Sequence, residues 1–208
     1  MVIESHHFQP FLPDGARILF LGSFPPPAHR WSIPFYYPNW INDFWRIMGL
    51  IHFGDKNHFC IISEKMFDED AIRAFCAQAG LAFYDTACEV RRLKDNASDA
   101  FLEVVTPTDI SAILSQTPDC DTLVTTGRKA TEVLAEQLCR KIPAIGEYVE
   151  ISHEQANVHN NMGNHQDRRG PGNEICNRTV RFWRMPSTSR AYPLPLEKKA
   201  EIYRRLFM

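Results

Sequence analysis

The sequence predicts an α/β fold, a three-layer α/β/α sandwich around a mainly parallel four-stranded sheet. Short apolar strands alternate with amphipathic helices, which implies parallel pairing through right-handed crossovers with helices on both sheet faces. Polar segments directly follow three of the strands, at the carboxyl edge where open α/β sheets bind ligands. With 208 residues and no Ser/Gly-rich linker, one domain spanning 1–208 accounts for the whole chain.

The elements follow from residue pattern. Arg17-Ile18-Leu19-Phe20-Leu21 reads as a buried strand that breaks at Gly22-Ser23-Phe24-Pro25-Pro26-Pro27. Phe44, Ile47, Met48 and Ile51 recur at helical spacing and predict a short helix from Asn42 to Leu50. Asp68 to Ala79 predicts a second helix, with Ala71, Ile72, Phe75 and Ala79 on one face and Gly80 as its stop. Leu81-Ala82-Phe83-Tyr84 is the next strand, and it leaves Asp85 at its carboxyl end. A helix opening at Thr108 carries Ile110, Ile113 and Leu114, and Leu123-Val124-Thr125-Thr126 forms a third strand. Gly127 leads into a helix through Leu138. Thr179 to Met185 supplies the fourth strand, with Val180 and Phe182 alternating against Arg181 and Trp183, and Leu194 to Phe207 closes the chain as an amphipathic helix. The Asn-, Gly-, His- and Arg-rich stretch from Asn157 to Asn173 predicts a long exposed loop inside an insertion at about 144–178.

Composition narrows the function classes. A hydrophobic content of 44% with 23% charge suits a soluble globular protein, and no apolar run approaches the length that spans a bilayer. Its start lacks a basic segment followed by an apolar one, so a cytoplasmic protein with no membrane partner is expected. A net charge of −2 argues against indiscriminate binding to nucleic acid, but the charge is uneven. Between residues 165 and 192, Arg168, Arg169, Arg178, Arg181, Arg184 and Arg190 face only Asp167 and Glu174. Six cysteines form no C-x-x-C pair and read as buried free thiols. His153, His159 and His165 lack zinc-ligand spacing and His29 lies in a loop, so no metal or cofactor is expected. Nothing calls for an obligate protein partner.

Chemistry can sit in three segments at strand ends: Gly22 to Pro27, Asp85 to Arg92, and Pro186 to Pro193. The hydroxyl-rich Pro186-Ser187-Thr188-Ser189-Arg190 can present donors to phosphate oxygens. It can equally cap the final helix.

The motifs together resemble the uracil-DNA glycosylase superfamily, most closely its hypoxanthine-DNA glycosylase branch. They run in order through most of the chain: Gly22-Ser23-Phe24-Pro25, Tyr36-Tyr37 with Asn42-Asp43-Phe44-Trp45, Gly80-Leu81-Ala82-Phe83-Tyr84-Asp85, Cys88-Glu89 with Arg91-Arg92, Gly127-Arg128-Lys129-Ala130, and Pro186-Ser187-Thr188-Ser189. Many members hold the hydrolytic water with an Asn or Asp after the first strand. The hypoxanthine branch has Gly-x-Met-Pro-Gly there and takes its Asn from a later Asn-x-Phe-Trp motif. Here Phe24 fills the Met position and Asn42 opens Asn-Asp-Phe-Trp.

The resemblance implies a DNA partner containing a deaminated base, with Asn42 positioning water. It places Gly22, Ser23, Phe24, Tyr36, Tyr37 and Asp85 around the base, and Ser187, Thr188 and Ser189 on phosphates. Two departures touch specificity: Pro25-Pro26-Pro27 replaces the Pro-Gly turn, and Ser189-Arg190-Ala191-Tyr192 replaces Ser-Pro-Ala-Asn. Arg190 and Tyr192 thereby add a cation and an aromatic ring where DNA would be wedged or stacked. The alternatives are a non-catalytic nucleic-acid-binding protein of the same fold and a small-molecule nucleoside hydrolase.

Overall fold

A computed structural model of the chain describes residues 2–93, 99–138, 140–151 and 179–208. The central sheet has five strands rather than four, in the order β5-β2-β8-β10-β9. Strands β2 (Ile18–Gly22), β5 (Leu81–Asp85), β8 (Thr122–Thr126) and β10 (Val180–Met185) are mutually parallel, and β9 (Glu147–Ile151) joins β10 antiparallel at one edge. The added strand occupies the start of the segment expected to be an insertion. Its Glu147-Tyr148-Val149-Glu150-Ile151 buries only Ile151 fully, as suits an edge strand. The predicted loop at 157–173 lies outside the described residues.

The four parallel strands are largely buried on both faces, so apolar residues and threonines run along β2, β5 and β8 without strict alternation, and in β10 only Arg181 and Arg184 are partly exposed. In β10, Val180, Phe182, Trp183 and Met185 are all buried, which corrects the expected outward-facing Trp183. One sheet face packs Phe20, Phe83 and Val124 against α1 (Phe44–Phe53), α2 (Glu69–Ala79) and α5 (Leu196–Arg204). The other packs Leu19, Leu21, Ala82, Leu123 and Phe182 against α3 (Ile110–Gln116) and α4 (Arg128–Gln137). These two apolar layers make the sandwich.

Local chemistry sets the helix ends. Asp68 caps α2 by accepting the Ala71 N–H, and Gly80 ends it at φ 65°, a left-handed conformation that costs glycine little. Asp109 caps α3 through the Ala112 N–H. A short antiparallel hairpin, β3 (Cys60–Ile61) with β4 (Met66–Phe67), links α1 to α2.

A second sheet, β1-β6-β7, replaces the polar loop expected from Asp85 to Arg92. Strand β6 (Ala87–Arg92) lies between β1 (Ile3–Ser5) and β7 (Leu102–Pro107), antiparallel to both. It buries Ala87 and Val90 while its charged residues sit nearer the surface, so only two apolar positions marked it as a strand. With Leu102 these two pack against Phe24 and fasten the first loop to the second sheet.

Candidate active site

The carboxyl ends of all four parallel strands, at Gly22, Asp85, Thr126 and Met185, line one cleft of about 700 Å³. The first loop contributes Ser23 and Phe24, the segment before α1 contributes Tyr36, Tyr37 and Asn42, and the last loop contributes Ser187 through Tyr192. Every site residue expected from the sequence therefore meets at this cleft.

Asn42 and the hydroxyl-rich loop are joined directly. Asn42 forms an isolated antiparallel bridge with Ser189, and the Asp43 N–H donates to the Thr188 carbonyl at 2.9 Å. The Asn42 Oδ1 accepts the Phe44 N–H at 2.9 Å, so the residue also caps the first turn of α1. That bond fixes the amide's orientation and leaves a second Oδ1 lone pair for a water molecule.

A buried ion network lies behind this bridge. Lys199 on α5, 1% exposed, donates to Asp43 Oδ2 at 2.9 Å and to the Ser189 carbonyl at 2.8 Å. Arg190 Nε donates to Asp43 Oδ1 at 3.2 Å while half its side chain stays exposed. Its first partner is thus Asp43, and only its outer portion faces solvent. Arg46 Nη1 adds bonds to the carbonyls of Trp40 and Asn42. Lys199 has no sequence signature, because a lysine on an amphipathic helix ordinarily marks the solvated face.

The hydroxyls of the last loop organise the loop itself. Ser187 Oγ accepts the Ser189 N–H and Ser189 Oγ accepts the Ala191 N–H, both at 3.2 Å. Thr188 is buried, so Ser187 and Ser189 are the outward pair. None of the three caps the final helix, which starts after Pro195 without a side-chain cap.

The two tyrosines differ. Tyr36 is buried, with its ring near-parallel to Phe83 at 5.7 Å and its hydroxyl on the Gln9 carbonyl. Tyr37, less buried and at φ 52°, lies flat on Phe44 at 3.8 Å and pairs with Thr126 Oγ1 at 2.7 Å. Burial pushes both phenols well above their ordinary range, and the Asp85 charge adds to the effect on Tyr36. Both walls therefore stay neutral, and Tyr37 is the more available for stacking.

Phe24 is largely consumed by packing. The residue is 8% exposed and its ring meets His6 edge-on at 5.3 Å. The prolines after it are pinned by their carbonyls: Pro25 accepts from Arg92 at 2.6 Å, Pro26 from Trp31 Nε1 at 2.7 Å, and Pro27 from the Arg30 N–H at 2.9 Å. Since proline has no N–H, any backbone donors of the loop come from Gly22, Ser23 and Phe24. Ser23 Oγ donates to Asp99 at 2.8 Å.

Asp85 has a partner that the sequence did not reveal. His6 Nε2 stands 2.9 Å from Asp85 Oδ2, and the His6 side chain is 3% exposed. His6 sits just beyond a three-residue strand beside His7, a setting with no sequence signature.

The rim is basic. Arg30, Arg128, Lys129, Arg184 and Arg190 line the cleft against the carboxylates of Asp85 and Asp99. Of the arginine-rich stretch, Arg184 and Arg190 reach the cleft and Arg181 pairs with Asp121 at 3.0 Å; Arg168, Arg169 and Arg178 lie outside the described residues. His153, His159 and His165 do so as well. Among the described residues, Cys60, Cys76 and Cys88 form no disulfide; Cys76 is buried as expected, whereas Cys60 and Cys88 are only partly buried, and no helix is long and apolar enough to cross a membrane.

No family model matches the sequence, and no curated protein matches it. By structure the chain is similar to the solution NMR structure of a Methanosarcina acetivorans protein provisionally named a uracil DNA glycosylase. That match has a TM-score of 0.57 at 19% identity and covers 100% of both chains. The architecture is an α/β fold with a mainly parallel five-stranded sheet flanked by helices, of the uracil DNA glycosylase kind.

Proposed function

We propose that the protein is a monofunctional DNA glycosylase that removes a deaminated base by hydrolysis and leaves an abasic site, with hypoxanthine the first substrate and uracil the second. The observation that carries this reading is the backbone pairing of Asn42 with Ser189 at the edge of one cleft, which brings a water-holding amide beside outward hydroxyls suited to phosphates. Phe24 is packed away and the Ser23 hydroxyl donates its proton to Asp99, so the first loop offers no amide or carboxylate to hold water. Asn42 then takes that role.

Breaking the N-glycosidic bond builds oxocarbenium character on the sugar, so an oriented water and a held backbone supply much of what catalysis needs. The Oδ1 of Asn42 accepts a hydrogen bond from the attacking water, and its bond to the Phe44 N–H keeps the amide from turning. The target base leaves its stack and lies against Tyr37, because chemistry on a base cannot proceed inside the duplex.

The test is incubation with hypoxanthine- and uracil-containing single- and double-stranded oligonucleotides, followed by alkaline cleavage. Strand breaks at the modified position are expected, and Asn42→Ala should lower the single-turnover rate at least ~100-fold while DNA binding persists. Binding with no base release by the native protein would favour the non-catalytic binder. Turnover of free inosine with indifference to DNA would favour the nucleoside hydrolase.

A further inference from the structure

We propose that a second cavity, behind the Asn42–Ser189 bridge, is a binding site for a phosphate group, with Arg46 and Lys56 as its principal donors. The cavity measures about 450 Å³ and sets Arg46, Lys56, Arg190 and Lys199 against the single carboxylate of Asp43, with two leucines completing its wall. Of these residues only Arg190 also lines the cleft, so the two spaces are neighbours and not one site.

Its charge is uncompensated. Asp43 is shared by Lys199, at 2.9 Å, and Arg190, at 3.2 Å. Among the described residues neither Arg46 nor Lys56 forms an ion pair. Lys56, exposed just past the end of α1, reaches the cavity from the solvent side.

Arg46 is held with one edge to spare. The residue is only 6% exposed, and Trp40 and Phe67 lie against its guanidinium at 4.3 and 5.2 Å. Its Nη1 donates to the Trp40 and Asn42 carbonyls at 2.8 and 3.1 Å. Nε and Nη2 donate to nothing among the described residues, yet neither is sealed from solvent as His52 Nε2 and Arg140 Nε are. The free Nε–Nη2 edge therefore opens into the cavity that Arg46 lines, and it is the side of the fork that grips two phosphate oxygens in parallel. Burial lowers the Arg46 pKa and the Arg190 charge lowers it further, so an anion in the cavity relieves both. Two unpaired cations beside a half-exposed third suit phosphate better than a carboxylate. Two sources carry that chemistry: a backbone phosphate of bound nucleic acid, led from the cleft past Arg190, and a free phosphate or phosphate ester.

The test titrates inorganic phosphate into the full chain at constant ionic strength while NMR follows the arginine Nε–H signals. Arg46→Lys identifies the Arg46 signal by its loss. That signal should shift to saturation with phosphate and not with acetate. Calorimetry on Lys56→Ala and Arg46→Lys should show phosphate weakened by roughly tenfold or more, the range of one charge-assisted hydrogen bond, with thermal unfolding verifying each fold. To find the source, single-stranded oligonucleotides with one phosphate at a time replaced by uncharged methylphosphonate are bound to the native protein and to Lys56→Ala. For a backbone phosphate, one position should cost the native protein about what Lys56→Ala costs and cost the variant little, and inorganic phosphate should compete with the oligonucleotide. For a free phosphate, inorganic phosphate should bind the DNA-loaded protein unchanged and no position should couple to Lys56.

A response matched by acetate, or a phosphate affinity untouched by both substitutions, would overturn the proposal. So would the absence of both saturable phosphate binding and a coupled position. The glycosylase reading is tested separately, since base release can fail while phosphate still binds here, and the reverse.

Discussion

At Gly22 a single missing carbon permits the site. A Cβ there would overlap the Asp85 carboxylate, which His6 holds from the other side, so the carboxylate cannot simply swing away. Gly22→Ala should cost about 1–3 kcal/mol, the range of overpacking a filled position. Urea denaturation would measure it, and in an Asp85→Ala background the penalty should shrink because the clashing oxygens are gone. Asn42 calls for a different separation of effects. Its Oδ1 caps α1 through the Phe44 N–H, so Asn42→Ala should cost about 1 kcal/mol of stability whatever the protein does. A rate loss far beyond what the remaining folded fraction explains would belong to the water-holding role, and parallel unfolding and single-turnover measurements distinguish the two.

Elements meet at Lys199, whose ammonium joins the final helix α5 to Asp43 before α1 and to the Ser189 carbonyl of the last loop. Replacing it by methionine preserves much of the volume and leaves the Asp43 carboxylate buried with Arg190 as its charged partner. Breaking such a pair from one side costs about 3–5 kcal/mol, and Arg190 should hold Lys199→Met near the lower figure. Adding Asp43→Asn should cost less than the two single changes combined, and a fall in the urea midpoint for the single variant but not its double would establish the coupling. How legible each element was follows from where its information resides. Helix α2 carries its own signals in Asp68, the Ile72 and Phe75 stripe, and Gly80. Strand β6 carries little, since Ala87 and Val90 acquire meaning only once β1 and β7 flank it. Edge strand β9 was obscured by its two glutamates. The cleft residues were legible because they follow strands or repeat a known order of motifs. His6 and Lys199 were not, because their partners lie 79 and 156 residues away.

For the whole molecule, a net charge of −2 coexists with a cleft rim of Arg30, Arg128, Lys129, Arg184 and Arg190. The parallel sheet explains how: its four strand ends converge on one edge, so loops distant in sequence place their cations around one opening, where they outnumber the carboxylates of Asp85 and Asp99. A duplex approaching this protein meets local attraction within the screening distance and weak repulsion beyond it. Binding should therefore weaken steeply with salt, by counterion release from the few phosphates the rim can neutralise. Arg128 and Lys129 open α4 at the end of β8, and Arg128 pairs with Glu132 at 2.6 Å on the exposed helix surface. Arg128→Ala with Lys129→Ala should lower the slope of log K against log salt by roughly 1–2, about 0.7–0.9 for each phosphate no longer neutralised. Because these side chains read charge and not sequence, the same reduction is expected for undamaged DNA and for hypoxanthine-containing DNA, leaving the ratio of the two affinities unchanged. Fluorescence anisotropy across a salt series with both duplexes measures slope and ratio together. An unchanged slope would remove this corner of the rim from the DNA path, whereas a changed ratio would place Arg128 or Lys129 against the base.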